Sequence, residues 1–192
     1  MKNKPPELII VAGANGSGKT TFAKPFTAEL GYQFLNADEI TKVLEDQGLP
    51  NAMIKAGRIF FAKLKHCIEN KENFVVETTL SGSYINKVAL KAKENGYLVK
   101  IIYIFLDNPQ LCVKRVKTRV FKGGHHVPTE DIIRRYYRSK DNFWNNFTEI
   151  ATDWKLYYNG EVGFQQVALG KNKEYSVENP SLFETFNSIK KI

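Results

Sequence analysis

The 192-residue chain carries only two cysteines, Cys67 and Cys112, each isolated within a helical pattern. Neither has disulfide or metal-ligand spacing to a partner, so both are expected to be buried thiols of a reducing, cytoplasmic compartment. Histidine is as scarce: His66 stands alone, and His125 and His126 have no cysteine or acid at ligand spacing. That excludes a zinc-dependent chemistry from the expectations. The longest apolar run, near Ile101 to Leu106, is far too short to span a bilayer. Residues Met1 to Pro6 are polar and lead into a strand pattern, so no signal peptide is expected there. There is no internal repeat, no low-complexity tract and no Pro/Gly/Ser linker. One domain over residues 1–192 is therefore expected, a length that can bury a full core.

Acidic residues are absent where basic ones crowd. Between Lys114 and Lys140 stand Lys114, Arg115, Lys117, Arg119, Lys122, Arg134, Arg135, Arg138 and Lys140, against only Glu130 and Asp131. That surplus of seven nearly accounts for the net charge of +8. A basic cluster implies a polyanionic partner, whether nucleotide phosphates, an anionic substrate or nucleic acid.

What the chain does contain begins with Gly13-Ala14-Asn15-Gly16-Ser17-Gly18-Lys19-Thr20, followed by Thr21. It sits between an apolar run, Leu8 to Ala12, and a helix pattern, and it fits G-x-x-x-x-G-K-[ST]. Glycines let successive backbone N–H groups turn onto an anion, and a helix N-terminus adds partial positive charge. Such a loop binds the phosphates of ATP or GTP, with Lys19 reaching the β/γ-phosphates and the Thr20 hydroxyl holding Mg²⁺.

Periodicity and turn residues lay out the rest. Strand one covers Glu7 to Ala12. A helix follows to about Leu30, closed by Gly31, with Pro25 expected to kink or shorten it. Tyr32 to Leu35 reads as a second strand that ends at Asn36-Ala37-Asp38. Asn51 is expected to cap a long helix whose apolar stripe includes Ile54, Phe61, Leu64 and Ile68. Phe74 to Val76 is a third strand ending in Glu77-Thr78-Thr79. A helix over Tyr84 to Asn95 precedes Gly96, and Leu98 to Leu106 is a fourth strand buried on both faces. Asn108-Pro109 starts a helix that carries Arg115 and Arg119. Gly123 to Pro128 reads as a hinge loop. Thr129 is expected to cap a helix running through Trp144 and Phe147 to about Ala151. Trp154 to Tyr158 is a fifth strand, with Phe164 to Leu169 an antiparallel partner hairpinned by Asn159-Gly160. Ser181 to Lys191 is a last helix. Strands alternating with helices predict an α/β fold with a doubly wound, mainly parallel sheet and a basic helical lid over about 114–140.

In such sheets ligands gather at the carboxyl ends of the strands. That brings Lys19, Thr20, Asp38, Glu77 and Thr79 into one crevice. Phosphoryl transfer needs positioning, a metal, cations on the developing charge and a base near the acceptor hydroxyl. Asp38 can be that base, although it also stands where a cap for the next helix would stand. Glu77 and Thr79 can hydrogen-bond a polyol or sugar, His126 can contact substrate, and the basic segment supplies cations. Motifs of competing chemistries are missing: no D-E pair follows a hydrophobic strand, Leu80-Ser81-Gly82-Ser83 is too short a match to L-S-G-G-Q, and there is no N-K-x-D. These absences favour a small-molecule kinase over a transport ATPase or a GTPase.

The P-loop, Leu35-Asn36-Ala37-Asp38, Glu77-Thr78-Thr79-Leu80-Ser81-Gly82, and Arg119 to Pro128 with Arg134-Arg135-Tyr136 form an ordered set over about Leu8 to Phe147. It resembles the zeta-toxin-like P-loop kinases, in particular the short branch often labelled predicted ABC-type ATPase. The resemblance implies transfer of the ATP γ-phosphate to a sugar hydroxyl, which in the better-known zeta toxins is the 3′-hydroxyl of UDP-N-acetylglucosamine. It implies Asp38 as base, Lys19 and Thr20 as phosphate and Mg²⁺ holders, Glu77 and Thr79 as acceptor contacts, and two lid arginines, Arg119 and Arg135, on the transferred charge. It also implies toxicity and a small antitoxin protein as partner. The chain is shorter than the large zeta toxins and reads Glu-Thr-Thr where they read Glu-Gly-Thr. Two other readings stay open. One is a nucleic-acid binder or polynucleotide end-kinase using the basic segment, although no RNP-like stacking motif accompanies it and nucleic acid is not the expected partner. The other is a regulatory ATP-binding module with slow hydrolysis.

Overall fold

A computed structural model describes residues 4–172 and 174–189. The expected strand Glu7–Ala12 forms β1, and all six of its residues are buried. It lies at the centre of a seven-stranded sheet of order β2-β3-β1-β4-β5-β6-β7, in which β2 is Gln33–Leu35, β3 Phe74–Thr78, β4 Leu98–Phe105, β5 Asp153–Gly160, β6 Gly163–Lys171 and β7 Glu174–Val177. The first five strands are parallel, with Ile10 level with Val76 on β3 and Ile101 on β4. The last three form an antiparallel meander.

Alternation along β1 sorts the core into two faces. Ile9 and Val11 pack with Phe22, Ala23 and Phe26 of α1 (Lys19–Leu30). Leu8, Ile10 and Ala12 face the larger cluster. That cluster draws on α3 (Ala52–Glu69), α4 (Tyr84–Glu94), α5 (Pro109–Phe121), α6 (Thr129–Asn142) and the final helix, named α8 below. A strand buried on both faces is the signature of a covered parallel sheet, and each fully buried aliphatic side chain contributes about 1.5–3 kcal/mol. A smaller group, Leu44, Ala52 and Ala56 with Ile40, fastens α2 (Ala37–Asp46) to α3.

Local chemistry explains where the structure departs from the sequence reading. Helix α1 runs through Pro25 to Gly31, which closes it in the left-handed region. The carbonyl that loses its donor to Pro25 belongs to Thr21, an exposed residue, so water can take the place of the missing N–H. Asn51 occupies the cap position of α3 but is itself left-handed and makes no side-chain cap. The stripe of α3 is phased by Ala56, Phe60, Leu64, Cys67 and Ile68, which turns Ile54 and Phe61 outward at 58% and 44% exposure. Pro128, not Thr129, precedes α6, and no side chain caps it. The helix expected to continue to Ala151 widens into a π-helical turn at Phe143–Phe147 and ends in α7 (Thr148–Ile150). Phe143 and Phe147 are both fully buried, and Phe143 stacks on Tyr103 at a centroid distance of 4.5 Å.

The β5–β6 turn falls at residues 161–162, because Asn159 and Gly160 already pair with Phe164 and Gly163. Strand β7 had no sequence signal; Tyr175 fixes it by ring contacts with Trp154 and Trp144. The last helix, α8 (Pro180–Ser188), is capped by Asn179, whose side chain accepts from the Leu182 N–H. Residues 190 and 191 of the expected helix lie outside the described residues. Both cysteines are buried and free, and burial pushes each thiol up to about 12. Among the described residues, no helix is long and apolar enough to cross a membrane.

Candidate active site

At the carboxyl end of β1 the chain turns through Gly13 to Gly18 before entering α1. The turn exists because two of its neighbours are backbone. Gly13 packs against the Ile104 carbonyl, and a Cβ on Gly16 would come 2.6 Å from the Cys112 carbonyl. Gly16 also sits at φ 83°, in the left-handed region. Gly16→Ala is accordingly expected to weaken nucleotide binding about tenfold or more, since the left-handed backbone alone costs a side chain roughly 1–2 kcal/mol. Titration with a fluorescent ATP analogue checks it; unchanged affinity would mean that the loop does not hold the phosphates. Helix α1 has no side-chain cap. Its first-turn N–H groups are therefore available to an anion at the loop.

The loop opens into a crevice of about 1090 Å³. It is lined by Asn15, Gly16, Gly18, Lys19, Thr20 and Thr21 from the loop and α1, and by Asp38, Glu77 and Thr79 from the ends of β2 and β3. The topology therefore brings together the expected donor and acceptor residues. From the basic segment come Arg115, Arg119, Lys122, Arg134 and Arg135. Gly13, Ala14 and Ser17 shape the loop from behind, buried and outside the lining. His126 is exposed and lies outside the crevice, beside a small surface pocket formed by α5 and α6. Arg138 also lies outside the lining residues.

Electrostatics couple the two halves. Lys19 is buried and donates from Nζ to the Ala14 carbonyl at 2.9 Å. Burial lowers its pKa, while Glu77 and Asp38 oppose that shift. Burial raises the pKa of Glu77 against the opposing pull of Lys19 and of the Thr20 hydrogen bond. The Thr20 hydroxyl donates to Glu77 Oε1 at 2.9 Å. Glu77 therefore touches the P-loop as well as lining the crevice. It ends the strand beside β1 and reaches the P-loop hydroxyl, the place where other P-loop enzymes keep a metal-holding acid. Among the described residues, no three His, Cys, Asp or Glu side chains form a metal cluster. A hydroxyl and a carboxylate beside a phosphate site are the hard oxygen donors that suit Mg²⁺, which retains waters and phosphate oxygens.

Three participants had no assigned role in the sequence reading. Asn36 caps α2: its Oδ1 accepts from the N–H groups of Asp38 and Glu39 at 2.8 and 3.3 Å. The cap function considered for Asp38 thus belongs to Asn36, and the Asp38 carboxylate is not used for capping. Asn159 donates from Nδ2 to the Ser17 carbonyl at 2.8 Å, and its own carbonyl accepts from Arg115 at 3.0 Å. It clasps the β5–β6 hairpin onto the loop. Lys42 lies one turn after Asp38 on α2, a spacing the sequence did show. On α6, Arg135 reaches Asn15 Oδ1 at 3.4 Å and shares Asp131 with Arg134. Arg119 turns back across the Gly123-Gly124 loop to the His125 carbonyl at 2.9 Å.

The family model for zeta toxin matches residues 1–159. The chain belongs to the zeta toxin family. An uncharacterised protein of Haemophilus influenzae is 34% identical over 137 residues, 71% of this chain and 94% of that one. A cytidylate kinase of Archaeoglobus fulgidus is 25% identical over 158 residues, covering 78% and 81%. The crystal structure of AvrRxo1-ORF1:-ORF2 with ATP overlays on 97% of the chain with a TM-score of 0.75 and 22% identity. This chain spans 64% of that longer one. A chain of the PezAT toxin–antitoxin system of Streptococcus pneumoniae overlays on the whole chain and on 82% of its own length, with a TM-score of 0.68 and 18% identity. The two structural likenesses carry the fold. The zeta toxin match and the kinase relative make the chain a P-loop kinase that uses a nucleotide.

Proposed function

We propose that this zeta-toxin-family kinase moves the γ-phosphate of ATP to a hydroxyl of a small molecule, and that the acceptor is a nucleotide sugar of the UDP-N-acetylglucosamine type. The observation that supports this most is the crevice itself. A P-loop with its buried lysine, a free carboxylate at Asp38 and a set of arginines open onto one space. In this reading the loop N–H groups and Lys19 bind the β- and γ-phosphates. Thr20 and Glu77 would hold Mg²⁺, which when bound neutralises phosphate charge. Asp38 accepts the proton of the acceptor hydroxyl as its oxygen attacks the γ-phosphorus and the bond to the β–γ bridging oxygen breaks, ADP leaving. Arg135 and Arg119 stabilise the transferred charge, and Thr79, hydrogen-bonded to Ser81 at 2.9 Å, meets the acceptor.

Residues 1–192 act as one domain, with about 114–140 closing over the phosphates. The enzyme works in the cytoplasm, where ATP is available. A small antitoxin is its proposed protein partner, by analogy with the toxin–antitoxin system that overlays on it.

The test is a screen of whole-cell extracts, holding both small molecules and nucleic acid, with ATP labelled at the γ-position. A labelled nucleotide sugar is the expected product. A label that appears only in nucleic acid would replace this reading with that of an end-kinase.

A further inference from the structure

We infer that Asn36 is a positioning residue that ties the donor side of the crevice to the acceptor side, holding Glu77 with one branch of its amide and the start of α2, with Asp38, by the other. The inference rests on the kinase reading above.

The amide is buried and both branches are used. Oδ1 takes the N–H groups of Asp38 and Glu39, and Nδ2 donates to Glu77 Oε2 at 2.8 Å. The other Glu77 oxygen holds the Thr20 hydroxyl. An unbroken path therefore runs from the P-loop hydroxyl through Glu77 and Asn36 to the backbone of the proposed base. Capping alone does not call for asparagine, because serine or aspartate caps a helix about as well. Asparagine differs in carrying an acceptor and N–H donors on opposite branches of one planar group. The donor branch meets a carboxylate that lies among Lys19 and Lys24 of α1 and Asp38 and Glu39 of α2. Beyond Asn36, Lys24 pairs with Glu39 at 2.6 Å, so the first turn of α2 is tied to α1 as well. A base tied to the metal side through one rigid side chain keeps the reacting oxygen and the γ-phosphate in register, and small misplacements of reacting groups are costly.

The test is a double-mutant cycle of Asn36→Ser and Glu77→Ala, which removes the acceptor that Asn36 Nδ2 meets. Serine keeps a capping oxygen and removes Nδ2. Three quantities are read: melting temperature, Mg²⁺-dependent affinity for a non-hydrolysable ATP analogue, and transfer rate at saturating ATP to the acceptor found by labelling. Asn36→Ser is expected to melt within about 3 °C of wild type, to lose about threefold in analogue affinity and to lose about tenfold in transfer; in the Glu77→Ala background the further loss is under about twofold.

Equal losses in both backgrounds would reduce Asn36 to a cap and overturn the inference, as would wild-type behaviour of Asn36→Ser. If Asn36→Ser does not fold, Asn36→Thr, which also keeps a capping oxygen and removes Nδ2, enters the same cycle with the same two outcomes. If wild-type protein transfers phosphate to no acceptor, the kinase reading fails. The cycle on analogue affinity still decides whether Asn36 acts through Glu77.

Discussion

Asp38→Asn is expected to lower phosphoryl transfer by about 10²–10⁴-fold, the range a positioned general base supplies. ATP affinity should stay within about threefold, a change of well under 1 kcal/mol. The separation follows from where Asp38 sits. It opens α2, but the helix is capped by the Asn36 side chain, so an isosteric amide at 38 leaves the backbone as it is. Its charge reaches Lys19 and Glu77 only as a secondary influence beside burial. The nucleotide half of the crevice therefore survives, and only proton removal from the acceptor is lost. Initial rates with the labelled acceptor, paired with calorimetric ATP titration, check this. Near-wild-type transfer would remove Asp38 from the base role.

Arg135→Ala is expected to lower transfer about 10³-fold, the low end of what an arginine on a transferring phosphoryl group is worth. Arg135, on α6, reaches the P-loop through Asn15 and is steadied by Asp131. Arg135→Lys should recover little, because a point ammonium cannot reproduce the planar fork that meets two phosphate oxygens. Arg119→Ala should cost less, since that guanidinium already spends one contact on the His125 carbonyl. Arg138→Ala should stay within about twofold, because Arg138 is exposed and does not line the crevice; surface charges are screened and contribute little. Rates at saturating ATP for the four variants decide it, and equal losses at 135 and 138 would sink the assignment.

The central fold was legible because several local signals agreed. The β1 run, the glycine loop and the helix start all pointed one way, and β1 matched its expected bounds, Glu7 to Ala12. Asn108-Pro109 likewise opened α5 with the asparagine side chain accepting from the Leu111 N–H. What was not legible depends on tertiary partners. No residue pattern announces that Ala56, Phe60 and Cys67 join the expected Leu64 and Ile68 on the buried face of α3 while Ile54 and Phe61 turn outward. Strand β7 pairs with β6 where Tyr175 also meets two tryptophans from elsewhere in the chain, contacts that no local pattern shows. In the candidate site, Asn36 was visible as a letter in a motif. Its grip on Glu77 appears only when the ends of β2 and β3 lie side by side, 41 residues apart in sequence. The same is true of Asn159, which reaches Ser17 across 142 residues.

The most direct measurement is the fate of the γ-phosphate in a single turnover, followed with and without the acceptor. Wild-type protein should release almost no inorganic phosphate alone and should move the label to the acceptor when it is added, and Asp38→Asn should neither release phosphate nor label the acceptor. Release of inorganic phosphate at the same rate with and without acceptor, and undiminished in Asp38→Asn, would contradict the account and make the crevice that of an ATPase.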